Sequence, residues 1–362
     1  MIKVLHVGEY AQGGVATYIQ TLLNHSDRTD IVDYIICSKK NSSHEWKIPK
    51  SRIIYYNYTR SVANIPKAIW AVYSAIRKIN PDVIYCHSTW AGLFARLPMF
   101  ITSKSAYVIY NAHGWAFLQD ISEWKRKVYA LIEHVLFFQT DAVVNVSKYE
   151  YNAALRYGIP EKKQVVIYSG ISPVIQKLNL HVQLSKKKIN MLFVGRFDPQ
   201  KGLDLLLKAV SAYNHDDLHL TVIGDNIVGG GTFIEKKDSD RVTFLGWIPH
   251  DKLGSYYNAC DVVVMPSRWE AFGLTAVEAM KYGKPVIVSN KGALPELIHN
   301  DVNGYIVDFQ NEMSLNKINL TKEKLSTMGQ QAKKDFHKLF ESERMLKETF
   351  LLYTSRVDRV ND

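Results

Sequence analysis

An apolar run of strand length, a glycine-bearing loop and a segment with apolar residues at helical spacing follow one another twice in this chain, and that doubled unit limits the fold more than any other feature. Residues 2–7 form the first run, Gly8-Glu9-Tyr10-Ala11-Gln12-Gly13-Gly14 the loop, and Val15, Tyr18, Ile19, Leu22 and Leu23 the inner stripe of a helix. The order restarts with residues 189–194, a loop opening Gly195-Arg196, and a helix carrying Leu203, Leu206, Leu207 and Val210. Further strand-length runs lie at 34–37, 83–86, 106–111 and 142–146, then at 218–223, 242–245, 262–265 and 285–288. Helical patterns separate them, one marked by Ile65, Ile69, Val72, Tyr73, Ile76 and Ile79. Short continuous apolar strands alternating with helices require a parallel sheet covered on both faces. The expectation is an α/β chain of two doubly wound parallel-sheet domains, 1–171 and 189–341. Residues 172–188, with Pro173 and the run Lys186-Lys187-Lys188, read as the linker. Residues 342–362 read as a C-terminal helix with Met345, Phe350, Leu351 and Tyr353 on one pattern, a candidate to dock on the first domain.

Length and composition agree with two folded domains, since 362 residues exceed what one core usually organises and 47% are hydrophobic against 22% charged. The three cysteines, Cys37, Cys86 and Cys260, are scattered without disulfide or zinc-ligand spacing, which points to a reducing cytoplasmic setting. The chain starts directly on a strand rather than on a secretory leader, and its apolar stretches fall far short of the ~20 residues of a membrane-spanning helix. With 45 Lys+Arg against 35 Asp+Glu, the net charge of +10 favours anionic partners. Trp46, Lys47, Lys50, Arg52, Tyr55, Tyr56, Tyr58, Arg60, Lys67 and Trp70 combine cations with aromatics, a mixture suited to peripheral contact with an anionic membrane at its inner face. A basic-aromatic module strong enough to suggest nucleic acid is missing.

In open parallel sheets ligands bind beyond the carboxyl ends of the strands, where helix N-termini offer unpaired N–H groups to anions. The Gly8–Gly14 loop lies at such a place but has neither the GxGxxG spacing nor the Gly-Lys-Ser/Thr ending, so dehydrogenase and kinase readings lose support. A tight strand-to-helix turn and a ligand contact both fit it. The loop Gly195-Arg196-Phe197-Asp198-Pro199-Gln200-Lys201-Gly202 puts two cations five residues apart at a helix start, a suitable clamp for a diphosphate. After the apolar strand at 262–265 comes Pro266-Ser267-Arg268-Trp269-Glu270-Ala271-Phe272-Gly273-Leu274-Thr275-Ala276-Val277-Glu278-Ala279-Met280. Glu270 falls in its loop and Glu278 in the following helix, where a carboxylate accepts bonds from paired hydroxyls or simply favours the helix dipole. Asp238-Ser239-Asp240 imitates a DxD metal motif, but its polar setting before a strand and the cations elsewhere argue against a metal role.

Glu270 and Glu278 with Ala-Phe-Gly-Leu between them and Ala-Met-Lys-Tyr-Gly-Lys-Pro-Val after them resemble the paired-glutamate motif of retaining glycosyltransferase family 4, glycosyl transferases group 1. The resemblance extends over almost the whole chain through Gly13-Gly14, His113-Gly114, Gly195-Arg196 with Lys201-Gly202, and Gly246-Trp247-Ile248. It implies the GT-B fold, two Rossmann-like domains facing across a cleft, and a metal-independent hexosyl transfer from a nucleotide-sugar to a glycan or lipid-linked saccharide in bacterial surface polysaccharide synthesis, whether O-antigen (lipopolysaccharide), capsule or exopolysaccharide. Carried over by residue, it implies that Arg196 and Lys201 hold the donor diphosphate, Glu278 the ribose hydroxyls, Glu270 the transferred sugar, and Ile248 the base. Backbone amides near Phe272, Gly273 and Leu274 would assist at the phosphate, Gly13 and Gly14 would approach the diphosphate or acceptor, and His113 would contact the sugar near its reacting carbon. An ordinary strand-end histidine also fits His113. Retention by same-face attack, with the leaving diphosphate taking the acceptor's proton, needs no covalent glycosyl-enzyme.

Three other readings keep the two-domain frame. A nucleotide-sugar epimerase would need an acid–base pair and no acceptor site, a phosphorylase a pyridoxal-binding lysine, and a non-catalytic sugar-nucleotide-binding protein would tolerate loss of Glu270. No cofactor is expected, the nucleotide-sugar being a substrate.

Overall fold

In the computed structural model the chain forms two compact units, residues 1–172 together with 342–362, and residues 173–341. Residues 25–28, 41, 43–44, 103–105, 176–179, 227–233 and 361–362 lie outside the described structure, and 355–360 are described by backbone alone. Part of the expected linker, 176–179, is therefore outside the described residues.

The first unit runs β1 (Ile2–Gly8), α1 (Gly13–Leu23), β2 (Ile31–Ser38), β3 (Ile53–Tyr56), α2 (Ile65–Ile79), β4 (Val83–His87), α3 (Thr89–Arg96), β5 (Tyr107–Asn111), α4 (Glu123–Leu136), β6 (Ala142–Asn145), α5 (Lys148–Arg156) and β7 (Gln164–Val166). Its strands lie in the order β3-β2-β1-β4-β5-β6-β7 and every neighbouring pair is parallel. Strand order reverses between β1 and β4, so the loops leaving those two strands diverge there. Central strands are buried on both faces, which is why they read as unbroken apolar runs.

The second unit runs β8 (Ile189–Val194), α6 (Leu203–Ser211), β9 (Leu218–Ile223), β10 (Val242–Gly246), α7 (His250–Ala259), β11 (Val262–Met265), α8 (Leu274–Lys281), β12 (Val286–Ser289), α9 (Leu294–Leu297), β13 (Gly304–Val307) and α10 (Lys322–Leu339). Its order is β10-β9-β8-β11-β12-β13, again all parallel, and the reversal falls between β8 and β11. The last helix, α11 (Ser342–Val360), belongs to the first unit. Met345, Phe350 and Tyr353 are buried there, and the Arg344 guanidinium donates to the Tyr168 carbonyl.

The mixed group at 46–70 does not present a uniform surface. Trp46, Tyr56 and Tyr58 are buried, and Arg60 donates two hydrogen bonds, at 2.9 and 3.1 Å, to the fully buried Glu9 carboxylate. Only Tyr55 and Trp70 of its aromatics face outward.

Candidate active site

The loops that leave β8 and β11 start side by side because those strands are hydrogen-bonded neighbours at the reversal point of the second sheet. Asp198 caps the turn Pro199–Lys201 by accepting from the Lys201 N–H at 3.0 Å, and Gly202 follows at φ +66°. A Cβ at Gly202 would run into the Pro266 carbonyl, so the close approach of the two loops depends on that residue being glycine. Arg268 N–H donates to the Gln200 carbonyl at 2.7 Å, and the Gln200 amide donates to the Trp269 carbonyl at 3.2 Å. Arg268 also grips the Asp204 carboxylate with both terminal nitrogens.

This stitching brings two of the sequence-derived residues into contact. Lys201 Nζ lies 2.6 Å from Glu270 Oε1, and the Ser267 hydroxyl donates to the same oxygen at 3.0 Å. Arg196 stands 3.1 Å from the Asp198 carboxylate and is close to half exposed. Both cations thus already face a carboxylate, and the cluster Arg196, Asp198, Lys201, Glu270 is formally neutral. It can exchange partners with a ligand that carries both phosphate and hydroxyls, the phosphate competing for the cations and the hydroxyls for the carboxylate.

Glu278 lies on α8, one turn beyond Leu274, with Gly273 at φ +112° as the helix cap. Its two oxygens accept from different groups, Tyr257 Oη at 2.7 Å and His250 Nε2 at 3.0 Å. That bond raises the His250 pKa above its usual value, and burial raises Tyr257 well above its own. Ile248 is half-buried in the turn between β10 and α7, two residues before His250. The Phe272 side chain is buried against Phe340, so its backbone is the part left for a ligand. The first turn of α8 contains no acidic residue, which leaves the helix dipole unopposed.

In the first unit Gly13, at φ +55°, and Gly14 open α1, whose N-terminus has neither a side-chain cap nor an acidic residue. His113 follows β5 at φ +50° and its N–H donates to Asn111 Oδ1 at 2.9 Å. The Tyr18 ring of α1 meets the His113 ring edge-on at 4.6 Å. His113 Nε2 lies 3.1 Å from His87 Nδ1, His87 Nε2 lies 3.0 Å from His6 Nδ1, and His6 Nε2 lies 3.2 Å from Asp33 Oδ1. Burial pushes the pKa of His87 well down and that of His113 down to about 3.

Tyr257, His250 and Ser267 were not singled out from sequence, nor were His6, His87 and Asp33. For His6 and Asp33 a signal existed, a titratable residue inside an otherwise apolar run destined for burial on both faces. Asp238 Oδ1 accepts from the Phe244 N–H at 2.8 Å. Among the described residues no group of three His, Cys, Asp or Glu gathers as a metal site, and no helix is long and apolar enough to cross a membrane.

The family model described as Glycosyltransferase Family 4 matches residues 12–174, and that of glycosyl transferases group 1 matches residues 176–335. A Klebsiella pneumoniae relative described as an uncharacterized 41.2 kDa protein in cps region is 35% identical over 319 residues, covering 85% of this chain and 87% of that protein. Sucrose-phosphate synthase from Thermosynechococcus elongatus superposes with a TM-score of 0.80 at 22% identity, covering 99% of this chain and all of the other. The Anabaena protein HepE in complex with UDP superposes with a TM-score of 0.78 at 20% identity, covering 98% of this chain and all of the other.

Proposed function

Because the chain belongs to glycosyltransferase family 4 and has GT-B-type domains, we propose that it transfers a hexosyl group with retention from a nucleotide-sugar to a glycan or lipid-linked saccharide. The observation that carries this reading is the contact of Lys201 with Glu270 beside Arg196, with Glu278 held separately by Tyr257 and His250. A diphosphate draws Lys201 and Arg196 to itself, which frees Glu270 for hydroxyls of the sugar, while Glu278 takes the ribose hydroxyls. His113 serves the sugar, and Gly13 and Gly14 the diphosphate or the acceptor. The bond from the anomeric carbon to the phosphate oxygen breaks, the acceptor oxygen bonds to that carbon on the same face, and its proton passes to the leaving diphosphate. Catalysis is then electrostatic and positional. The relative in a cps region supports surface polysaccharide synthesis as the setting. No metal is required in this reading, because Arg196 and Lys201 supply the charge that a metal would.

The test is a panel of UDP-, GDP- and ADP-sugars screened for thermal stabilisation, followed by transfer assays with and without EDTA. A stabilising nucleotide-sugar whose sugar reaches an acceptor with retained configuration is expected. Epimerised donor without transfer would replace the reading with the epimerase, and activity lost to EDTA and restored by Mn2+ would remove its metal-independent part.

We place peripheral contact with an anionic bilayer on α4 rather than at 46–70. Trp124, Val128, Leu131, Ile132 and Val135 on this helix, and Phe138 just beyond it, are exposed, and at helical spacing they cover roughly a third of its circumference. Ala130, Glu133 and Leu136 on the opposite side are buried. Lys125 and Lys127 flank the apolar stripe, which suits anionic headgroups and the net charge of +10. Binding to phosphatidylglycerol vesicles but not to phosphatidylcholine vesicles, abolished by Trp124→Glu with Leu131→Glu, is expected. A dimer in light scattering that the same substitutions dissolve, without vesicle binding, would assign the face to a second copy instead.

A further inference from the structure

Three neighbouring strands, β2, β1 and β4, and the loop that leaves the next strand, β5, each contribute one member to the row Asp33, His6, His87, His113; the first three are buried and the last is half-buried. The His6 and His87 rings stack at 5.3 Å with 20° between their planes, as do His87 and His113 at 5.4 Å and 20°. Each of the two inner rings has both nitrogens bonded within the row.

The protons in such a row are not independent. A neutral imidazole has one N–H and one lone pair, whereas a carboxylate only accepts. Asp33 therefore requires an N–H on His6 Nε2, and with His6 neutral this leaves His6 Nδ1 as an acceptor. His87 must then donate from Nε2 and accept at Nδ1, and His113 must donate from Nε2. Nδ1 of His113, which makes no hydrogen bond among the described residues, is left with its lone pair. Burial keeps His87 and His113 neutral, so a second proton does not scramble this order.

We propose that Asp33 is a positioning residue which, through His6 and His87, fixes His113 in the neutral tautomer whose Nδ1 accepts a hydrogen bond from a hydroxyl of the bound sugar. The tautomer follows from the row with His6 carrying a single proton, while its use rests on the assignment of His113 to the sugar under the proposed function. The arrangement separates a purely packing role, for which any polar contacts would do, from a directional one set by the acceptor at its far end.

The deciding measurement is the long-range proton–nitrogen spectrum of the imidazoles in the full-length protein labelled with nitrogen-15 at histidine, with the His113 signals identified through His113→Gln. The wild type is expected to carry the His113 proton on Nε2; a proton on Nδ1 would overturn the proposal, and this needs no variant at Asp33. In Asp33→Asn the side-chain amide can donate to His6 Nε2, and the row is expected to reverse, moving the His113 proton to Nδ1. A His113 tautomer that stays put in folded Asp33→Asn would overturn control by Asp33. Binding of UDP-glucose, GDP-mannose and ADP-glucose, each compared with its nucleoside diphosphate, reads the use of the tautomer. Asp33→Asn should lose about tenfold in the sugar-dependent part alone, the worth of one hydrogen bond. A tautomer that switches with no such loss would overturn the contact of His113 with the sugar and leave the row intact, so the two failures are distinguishable.

Discussion

Lys201 reaches Glu270 at 2.6 Å with one side chain about a fifth exposed and the other less than a tenth, so neither charge is freely solvated. Glu270→Gln keeps the size and hydrogen-bonding capacity but removes the charge that sugar hydroxyls would meet. It should reduce transfer far more than it weakens binding of the nucleoside diphosphate, and equal losses in both would contradict direct sugar contact. Lys201→Ala and Arg196→Ala remove charge-assisted bonds of about 1.5–3 kcal/mol each, so kcat/KM should fall roughly 10- to 100-fold and donor affinity should fall with it. Unchanged kinetics in both would dispose of the clamp. Gly292 carries a further prediction, because a Cβ there would collide with the backbone of Glu270, whose carbonyl accepts from the Ala293 N–H at 3.0 Å. Gly292→Ala also places a side chain at φ +62°, and it should depress transfer as Glu270→Gln does while leaving the fold's secondary structure unchanged by circular dichroism. Full activity in Gly292→Ala would mean that the Glu270 backbone is free to shift.

Helix α4 is anchored by a satisfied charge network on its inner side. Arg96 Nη2 donates to Glu133 at 2.8 Å, Nη1 to Thr140 Oγ1 at 3.1 Å and Nε to the Gly92 carbonyl at 3.0 Å, while Tyr110 Oη donates to the other Glu133 oxygen. Both charges are almost fully buried, and removing one partner strands the other. Arg96→Met should cost about 3–5 kcal/mol in the first unit, measured by denaturant unfolding, and a loss below 1 kcal/mol would show that water or a neighbour compensates Glu133. Elements of this kind differ in how clearly a sequence displays them. The inner strands of both sheets appear as apolar runs, whereas β3, β7 and β13 escape notice, and all three stand at sheet edges. An edge strand is short and has a neighbour on one side only; β7 is three half-buried residues, and the apolar run it overlaps is only Val165-Val166-Ile167-Tyr168. The same limit explains the group at 46–70, where cations and aromatics close in sequence point to opposite sides of β3 and its flanks. In the candidate site, glycines and charges within one loop are visible in the sequence. The row from Asp33 to His113 is assembled from residues 27, 81 and 26 positions apart and becomes visible only once the strand order is known.

At the scale of the whole molecule the two units should respond to acid differently. His87 and His113, both in the first unit, are held neutral by burial, with pKa values below the usual 6.5. An unfolded first unit would bind protons at these positions as the pH drops below about 6.5, while the folded unit would not until much lower, to about 3 for His113. The unfolded state then holds more protons, and stability falls with falling pH across that window. No described histidine of the second unit is buried, and His250 has the opposite sign, its raised pKa giving a contribution that is fully present below 6.5 and lost as pH rises through the raised value. Its exposure makes that contribution small. Hydrogen exchange between pH 7 and pH 4.5, corrected for the intrinsic rate, should therefore show β1 and β4 losing protection before β8 and β11. Equal loss in both sheets, or earlier loss in the second, would mean that the histidine row is not what limits the first unit in acid. Asp33→Asn should leave this order in place, because burial rather than the carboxylate holds His87 and His113 neutral.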